Sequence, residues 1–275
     1  MAKILSYEEK NTWIHKLSGV TKLVFFIIWS MTSMISYDTW VLVVMLVCSL
    51  VIFKMSKTKW QQVGTVFKFI MLFLSVNLLA IFFFSPGQGT EVYGTETPLF
   101  HLFGPYTVTA EQLFYEFNVM LKYLTVIPAG LMFIVTTNPS EFAASLNRVG
   151  VSYNIDYAVA IALRYIPDVQ DDFVQIKHAQ EARGIEMSSK ASLVDRIKNL
   201  AAIIFPLIFS SMGRIDVVSN AMELRGFGKN KQRSWYSGRP IKRNDYLVIA
   251  VTIVFAVAMM VITFYDGSRY YNPFM

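Results

Sequence analysis

The chain has 275 residues, of which 54% are hydrophobic and only 16% are charged. Soluble domains carry about 25% charged residues and lack long uncharged apolar runs, so this composition excludes a soluble protein and predicts an integral membrane protein. The formal net charge of +6 could suggest a nucleic-acid partner. The basic residues instead lie between apolar runs, and we therefore expect no nucleic acid.

Five apolar runs are predicted to form transmembrane helices, and they cover residues 23–36, 40–53, 67–84, 117–136 and 246–265. A helix needs about 17–25 apolar residues to cross a bilayer core, and the last three runs meet this requirement. The first two runs have only 14 residues each, so they predict either tilted helices extended by snorkelling Lys22 and Lys54 or a re-entrant hairpin. The predicted fold class is an all-α integral membrane protein with about five transmembrane helices.

The distribution of lysine and arginine between these runs predicts the topology. Residues 137–245 contain fifteen of them, whereas the loop at 85–116 contains none. Because cytoplasmic loops carry the excess of basic residues, we expect a cytoplasmic N-terminus and an extracellular C-terminus in the cell membrane. Three regions follow: a membrane region of about four spans at 1–136, a cytoplasmic coupling region at 137–245, and the last transmembrane helix with a short external tail at 246–275.

The cytoplasmic region is predicted to contain three helices, two of them long. Asn138 and Pro139 suit the start of the first helix, and Glu141 falls three residues after the cap. The second helix is predicted over residues 155–183 and the third over 193–225, because a glycine follows each. At about 1.5 Å per residue, each long helix measures about 45–50 Å.

Both long helices change character along their length. Residues 155–167 and 200–212 are almost entirely apolar, yet about 13 residues are too few to cross a bilayer. The distal halves are amphipathic, so we expect each helix to lie with its apolar end against the membrane or a membrane-embedded partner and its other end in the cytoplasm. Pro167 and Pro206, which lie in the apolar halves, are predicted to kink their helices. The expected contacts with the membrane-embedded partner are Ile161, Pro167, Ile204 and Pro206.

The ends of the two long helices match one another. Residues 178–184 and 220–226 are identical at four of seven positions, which are Ala, Glu, Arg and Gly. A single arginine in the last turn of a helix commonly has no role beyond a favourable interaction with the helix dipole. Two matching ends favour a docking role, because arginine recognises carboxylate and backbone groups through its planar fork. The residues of this predicted docking site are Glu181, Ala182, Arg183, Gly184, Glu223, Leu224, Arg225 and Gly226.

Four places in the chain carry a family resemblance: His15-Lys16-Leu17 with Thr21-Lys22-Leu23, Thr136-Thr137-Asn138-Pro139, Ala162-Leu163-Arg164-Tyr165-Ile166-Pro167, and Ala182-Arg183-Gly184 with Leu224-Arg225-Gly226. Together they resemble the transmembrane coupling (T) component of energy-coupling factor (ECF) transporters, which are ABC transporters, and the related cobalt-transport membrane subunit. The chain departs from the family at Ser18-Gly19, where Asp-Pro is usual, and at Leu224, where Ala is usual.

The resemblance implies a non-catalytic subunit of an ATP-driven importer of a vitamin or metal. Two cytoplasmic ABC-type ATPase subunits would each receive one helix end, bearing Arg183 or Arg225, in a groove. A separate small membrane protein, the substrate-binding (S) component, would pack against the coupling helices and be tipped when the ATPases close. The ATPases would bind ATP and Mg²⁺, so no cofactor is expected in this chain.

The chain lacks sequence motifs for chemistry of its own. It has no Gly-x-x-x-x-Gly-Lys-Ser/Thr phosphate loop, and its three histidines lie far apart, so we expect neither ATP binding by that motif nor a metal site. The carboxylates of Asp168, Asp171 and Asp172 are interpreted as a solvated face or as a surface toward a basic partner.

Two polar residues lie inside the predicted spans. Lys122 is expected to snorkel to the outer interface, and Asn77 to form a hydrogen bond between helices. The scarcity of charges near the midplane argues against a substrate site in this chain. Two other functions stay open: a self-sufficient channel or secondary transporter with a regulatory cytoplasmic insertion, and a membrane enzyme that uses the cytoplasmic carboxylates.

Overall fold

The computed structural model describes residues 10–103, 106–148, 150–184, 193–229 and 239–274. In these ranges the chain forms ten α-helices and one antiparallel β-hairpin. The all-α prediction is confirmed, and the hairpin is a small addition to it. The elements are α1 Trp13–Lys16, α2 Gly19–Ile35, α3 Thr39–Met55, α4 Trp60–Phe84, α5 Gln88–Tyr93, β1 Pro98–Phe103, β2 Tyr106–Thr109, α6 Ala110–Thr136, α7 Pro139–Arg148, α8 Tyr153–Ala182, α9 Leu193–Leu224 and α10 Arg243–Thr263.

The chain divides into two compact units. The first, which we call the membrane unit, comprises Met1–Phe142 and Arg239–Met275. The second, which we call the paired-helix unit, comprises Ala143–Gly238 and contains α8 and α9. In the membrane unit, α10 packs against α2, so the last predicted span joins the spans that precede it in the chain.

Among the described residues, four stretches of helix are long and apolar enough to cross a membrane: α4, α6, α10 and Asn199–Leu224 of α9. The shorter apolar helices α2 and α3 have 17 residues each, and they exceed the 14-residue runs because α2 begins before Lys22 and α3 continues past Lys54. The stretch in α9 was not predicted as a span, since it reaches the necessary length only when the amphipathic half is included.

Helix α6 lies at the centre of the membrane unit, where it packs against α2, α3 and α4. Its residues Ala129 and Met132 share a core cluster with Phe25 and Trp29 of α2 and with Met45 of α3. By contrast, α4 and α10 expose apolar side chains along most of their length. Helices that are apolar on all sides are expected to face lipid where they do not face protein.

The loop predicted at 85–116 is ordered structure, formed by α5, the β1–β2 hairpin and the first turns of α6. An aromatic cluster joins this region to the start of α3 and to the C-terminal tail, with the ring centres of Tyr37 and Tyr270 4.8 Å apart. Burial raises the pKa of Tyr93 to about 12. Its hydroxyl therefore stays neutral, and Asn118 Nδ2 donates to its oxygen at 3.4 Å.

The two intramembrane polar residues differ from their predictions. Lys122 does not snorkel: it is 4% exposed, its ammonium donates to Met34 O at 2.7 Å, and it lies 3.0 Å from the centre of the Tyr37 ring. A free carbonyl in the last turn of α2 and an aromatic face thus satisfy the charge inside the protein. Asn77 Oδ1 is buried and finds no hydrogen-bond partner in the part of the chain that the structure describes.

Helices α8 and α9 lie antiparallel. Near the end of α8, Gln180 Nε2 donates at 3.1 Å to the carbonyl of Ala202, which lies in the first half of α9. Near the start of α8, the ring centre of Tyr157 is 4.6 Å from that of Phe227, just after α9. Because the apolar half comes first in both helices, each apolar half lies beside the amphipathic half of its neighbour. The expectation of one apolar and one cytoplasmic end is therefore wrong for the pair.

Candidate functional site

The two matching sequence segments form the same local structure. The glycine after each arginine has a left-handed backbone, with φ of 84° at Gly184 and 66° at Gly226. Gly184 N donates to Glu181 O at 3.0 Å, and Gly226 N donates to Glu223 O at 2.9 Å. Glycine adopts this conformation without the steric cost of a Cβ, so both helices end next to their arginine, as the sequence predicted.

The side chains of Arg183 and Arg225 are exposed, and Leu224 is 89% exposed beside the second of them. The carboxylate of Glu181 faces its own helix, where Lys177 Nζ lies 3.6 Å and His178 Nδ1 3.2 Å from it. The end of α9 therefore presents an apolar and a cationic side chain together, and the end of α8 presents an exposed arginine.

The structure does not bring the two arginines together. Arg183 lies one turn beyond Gln180, which contacts the first half of α9, whereas Arg225 lies beside the contact between Tyr157 and Phe227. The contacts at residues 157 and 180 are separated by most of the length of α8, or about 35 Å at 1.5 Å per residue. The two helix ends that were each predicted to enter an ATPase groove therefore lie apart, one at each end of the antiparallel pair.

A hollow of about 370 Å³ lies at the Arg225 end of the pair. Two guanidinium groups line it, and the sequence analysis gave the first of them, Arg164, no role. Arginines in one hollow can recognise a carboxylate or backbone carbonyl groups of a partner, because each offers a planar fork of donors. The lining includes Tyr157, Arg164 and Tyr165 of α8, Ala221 near the end of α9, and Arg225 and Phe227 just after it.

The four residues predicted to contact a membrane-embedded partner are not brought together either. Ile161 lines the hollow and an adjacent, mostly apolar one of about 340 Å³, so it faces α9. Ile204 is exposed near the opposite end of the pair. Pro167 and Pro206 are exposed positions inside their helices. The antiparallel arrangement separates these residues, because each apolar half lies in the first part of its own helix.

An ion pair joins the two long helices near their middle. Arg214 Nη2 lies 2.5 Å from Asp172 Oδ2, and Arg214 Nη1 lies 3.8 Å from Asp168 Oδ2. The interpretation as a solvated face is therefore wrong for Asp172, whose side chain is 23% exposed, whereas Asp168 is 55% exposed and Asp171 is also exposed. Part of the signal was present in the sequence, because two aspartates one turn apart share a helix face.

At one end of the membrane unit, two buried carboxylates hold the start of α2. Asp245 Oδ1 accepts hydrogen bonds from Ser18 N and Thr21 Oγ1, both at 2.8 Å, and so ties α10 to α2. Glu141 Oε1 accepts from Gly19 N at 2.8 Å and ties the first turn of α7 to the same place. We call these five residues the junction cluster. It fixes the point where the chain leaves the membrane unit, and the sequence analysis missed Asp245.

The junction cluster explains one departure from the family pattern. Proline has no backbone N–H, so the usual residue at position 19 could not donate to Glu141. Gly19 can, and its N–H satisfies one of the free donors at the start of α2. Glu141, which was predicted to cap its own helix, thus accepts a hydrogen bond from a distant helix.

The chain is similar in sequence to known membrane-transport proteins. The sequence profile of the CbiQ cobalt transport protein family matches residues 10–235. The energy-coupling factor transporter transmembrane protein EcfT of Leuconostoc gelidum subsp. gasicomitatum is 27% identical over 266 residues, which cover 92% of this chain and 93% of that protein. EcfT of Streptococcus equi subsp. equi is 25% identical over 260 residues, or 91% and 93% of the two chains.

A third relative is named as an ATP-binding protein and not as a transmembrane protein. A putative ABC transporter ATP-binding protein of Bifidobacterium longum is 29% identical over 177 residues, which cover 62% of this chain but only 22% of that protein. The family profile covers most of the chain, including both matching helix ends and the start of α2. The chain therefore belongs to the CbiQ cobalt transport protein family and is a multi-pass membrane protein.

Proposed function

We propose that this chain is the transmembrane coupling component of an ECF-type ABC importer, and that it passes the motion of two ATPase subunits to a separate substrate-binding membrane protein. Two relatives named EcfT support the transporter assignment, and the ATP-binding relative supports an ABC-type partner. The observation that carries the coupling role is the pair of matching arginine ends at opposite ends of the α8–α9 pair.

The separation of the two arginine ends favours two ATPase subunits. About 35 Å is far beyond the reach of one arginine side chain, so one groove cannot receive both ends. One soluble subunit at each end accounts for the repetition of the Glu-x-Arg-Gly pattern within a single chain. The contacts Arg214–Asp172 and Gln180–Ala202 join the helices along their length, so a displacement imposed at one end is transmitted to the other helix.

The substrate-binding protein would contact an apolar face of α9. Four large apolar side chains are exposed at the spacing of one helix face, and Ile204 lies next to them. A face of this size is unfavourable in water, so it lies against the bilayer or a membrane-embedded partner. The residues of this face are Phe205, Ile208, Phe209 and Met212.

We propose the topology predicted from the basic residues, with the N-terminus in the cytoplasm, the C-terminus outside, and ATP and Mg²⁺ bound by the partner subunits. Helix α9 is long enough to cross a membrane, but basic residues flank the stretch on both sides, with Arg196 and Lys198 before it and Arg225 and Lys229 after it. A crossing would place one basic pair outside, against the usual charge bias. In this proposal α9 therefore lies along the cytoplasmic face.

The proposal is tested by affinity purification of the tagged chain from its native membranes, followed by uptake measurements in proteoliposomes. We expect ABC-type ATPase subunits and a small substrate-binding membrane protein to copurify, and uptake to require ATP and all of these components. Uptake by the purified chain alone, or driven by an ion gradient without an ATPase, would instead identify a self-sufficient transporter.

A further inference from the structure

A cavity of about 290 Å³ lies in the membrane unit between α2, α3 and α10, and we call it the lateral slot. Its lining is largely apolar. Three lining side chains have polar atoms that bond elsewhere, and Trp29 Nε1 is buried without a hydrogen-bond partner among the described residues. Thr21 Oγ1 donates to Asp245, Lys22 Nζ to Thr136 O, and Thr252 Oγ1 to Val248 O, each at 2.8 Å. The slot therefore favours an apolar occupant, because a polar one would lose hydrogen bonds to water without replacing them.

The lateral slot runs parallel to the helices. On α3, residues about one turn apart line the slot, namely Cys48, Ile52 and Met55. On α10, the lining residues extend from Leu247 to Phe255. Seven or eight residues of helix correspond to about 11–12 Å. This direction is also that of lipid acyl chains in a bilayer crossed by these helices.

The lateral slot has a closed floor and an open side. Phe25 and Trp29 form the floor, where Trp29 is 4% exposed and stacks on Phe255 with their ring centres 5.3 Å apart. Met55 and Val251 at the rim are exposed, so the slot opens sideways between α3 and α10. That opening faces the bilayer. An unfilled apolar cavity lowers the stability of the protein, because the side chains that line it lose van der Waals contacts.

Three basic residues lie near one end of the lateral slot. Lys16, Lys54 and Arg243 are exposed, and each lies within four residues of a side chain that lines the slot. The carboxylate of Asp245 at this end is buried and already accepts the N–H of Ser18. A negatively charged lipid headgroup at this end would therefore meet positive charge, because basic residues near a membrane surface attract anionic lipids.

We propose that the lateral slot is a lipid site, which takes one acyl chain of an anionic phospholipid from the leaflet on the basic side of the membrane. The apolar lining and the direction of the slot select the acyl chain, and the cations at its end select the headgroup. This site is independent of the coupling role, because it lies wholly within the membrane unit.

Tryptophan fluorescence tests the proposal in the full chain. A variant that retains only Trp29, with phenylalanine at the other four tryptophans, is reconstituted in vesicles of phosphatidylcholine and phosphatidylglycerol. One lipid at a time carries bromine in the middle of its acyl chains, where it quenches a tryptophan that it touches. The matched control retains only Trp40, which is 66% exposed on α3 outside the slot.

We expect brominated phosphatidylglycerol to quench Trp29 several-fold more than brominated phosphatidylcholine at equal mole fraction, and Trp40 to respond equally to both. Val251→Phe, at the exposed rim, should block the slot and protect Trp29, whereas Lys54→Gln with Arg243→Gln should remove the preference for phosphatidylglycerol. If neither lipid quenches Trp29 while both quench Trp40, the slot belongs to a protein side chain and the proposal is wrong. Equal quenching of Trp29 by both lipids would refute the anionic headgroup.

Discussion

Truncation of Arg183 or Arg225 to alanine should release an ATPase subunit from the end concerned. The side chain of Arg183 is exposed in the chain alone, so Arg183→Ala should leave the thermal stability of the chain unchanged. In a complex, an arginine that is removed from water and bonded to carboxylate or carbonyl groups costs about 2–5 kcal/mol to truncate, because its partners are left unpaired. At about 1.4 kcal/mol per tenfold change, the dissociation constant should rise roughly 30-fold to 4,000-fold.

The assay titrates the ATPase subunits onto the chain in nanodiscs and compares alanine and lysine at each arginine. Lysine should restore binding only in part, because a point charge cannot reproduce the planar fork. Lys177→Ala is the matched control: this residue forms an exposed pair with Glu181, and its removal should cost well under 1 kcal/mol. If both alanine variants bind the ATPases with unchanged affinity, the arginines only cap their helices and the docking argument is wrong.

Three further substitutions test other parts of the structure. Arg214→Leu should destabilise the α8–α9 pair by about 1 kcal/mol, since it removes the bond to Asp172, and thermal denaturation should detect the loss. Gly19→Pro should cost about 1–3 kcal/mol by removing the donor to Glu141, and its effect should not add to that of Glu141→Ala. A cysteine at Glu91, in a cysteine-free background, should react with an impermeant reagent in intact cells; labelling only after permeabilisation would reverse the topology.

The features that could be predicted from the sequence depend on local signals. The ends of α8 and α9 were located within one residue, because a glycine with a left-handed backbone follows each. The lengths of α2 and α3 were underestimated, since a lysine was read as the edge of each apolar run. Lys22 is in fact buried within α2, where the carbonyl of Thr136 accepts its ammonium hydrogen bond.

The features that could not be predicted depend on contacts between distant parts of the chain. The burial of Lys122 requires the carbonyl of Met34 and the ring of Tyr37, which are more than eighty residues away. The separation of the two arginine sites follows from the antiparallel pairing of α8 and α9, which periodicity within one helix does not reveal. The role of Asp245 likewise appears only when α10 packs beside the start of α2.

The central claim is that one chain carries two ATPase subunits at once, one at each end of the α8–α9 pair. The most direct measurement places a photo-crosslinking residue at position 183, at position 225, or at both, and determines the mass of the adducts after irradiation of the assembled complex. The account predicts one ATPase on each single-site variant and two on the double-site variant. It would be contradicted if the double-site variant carried only one ATPase, with both positions attached to the same subunit.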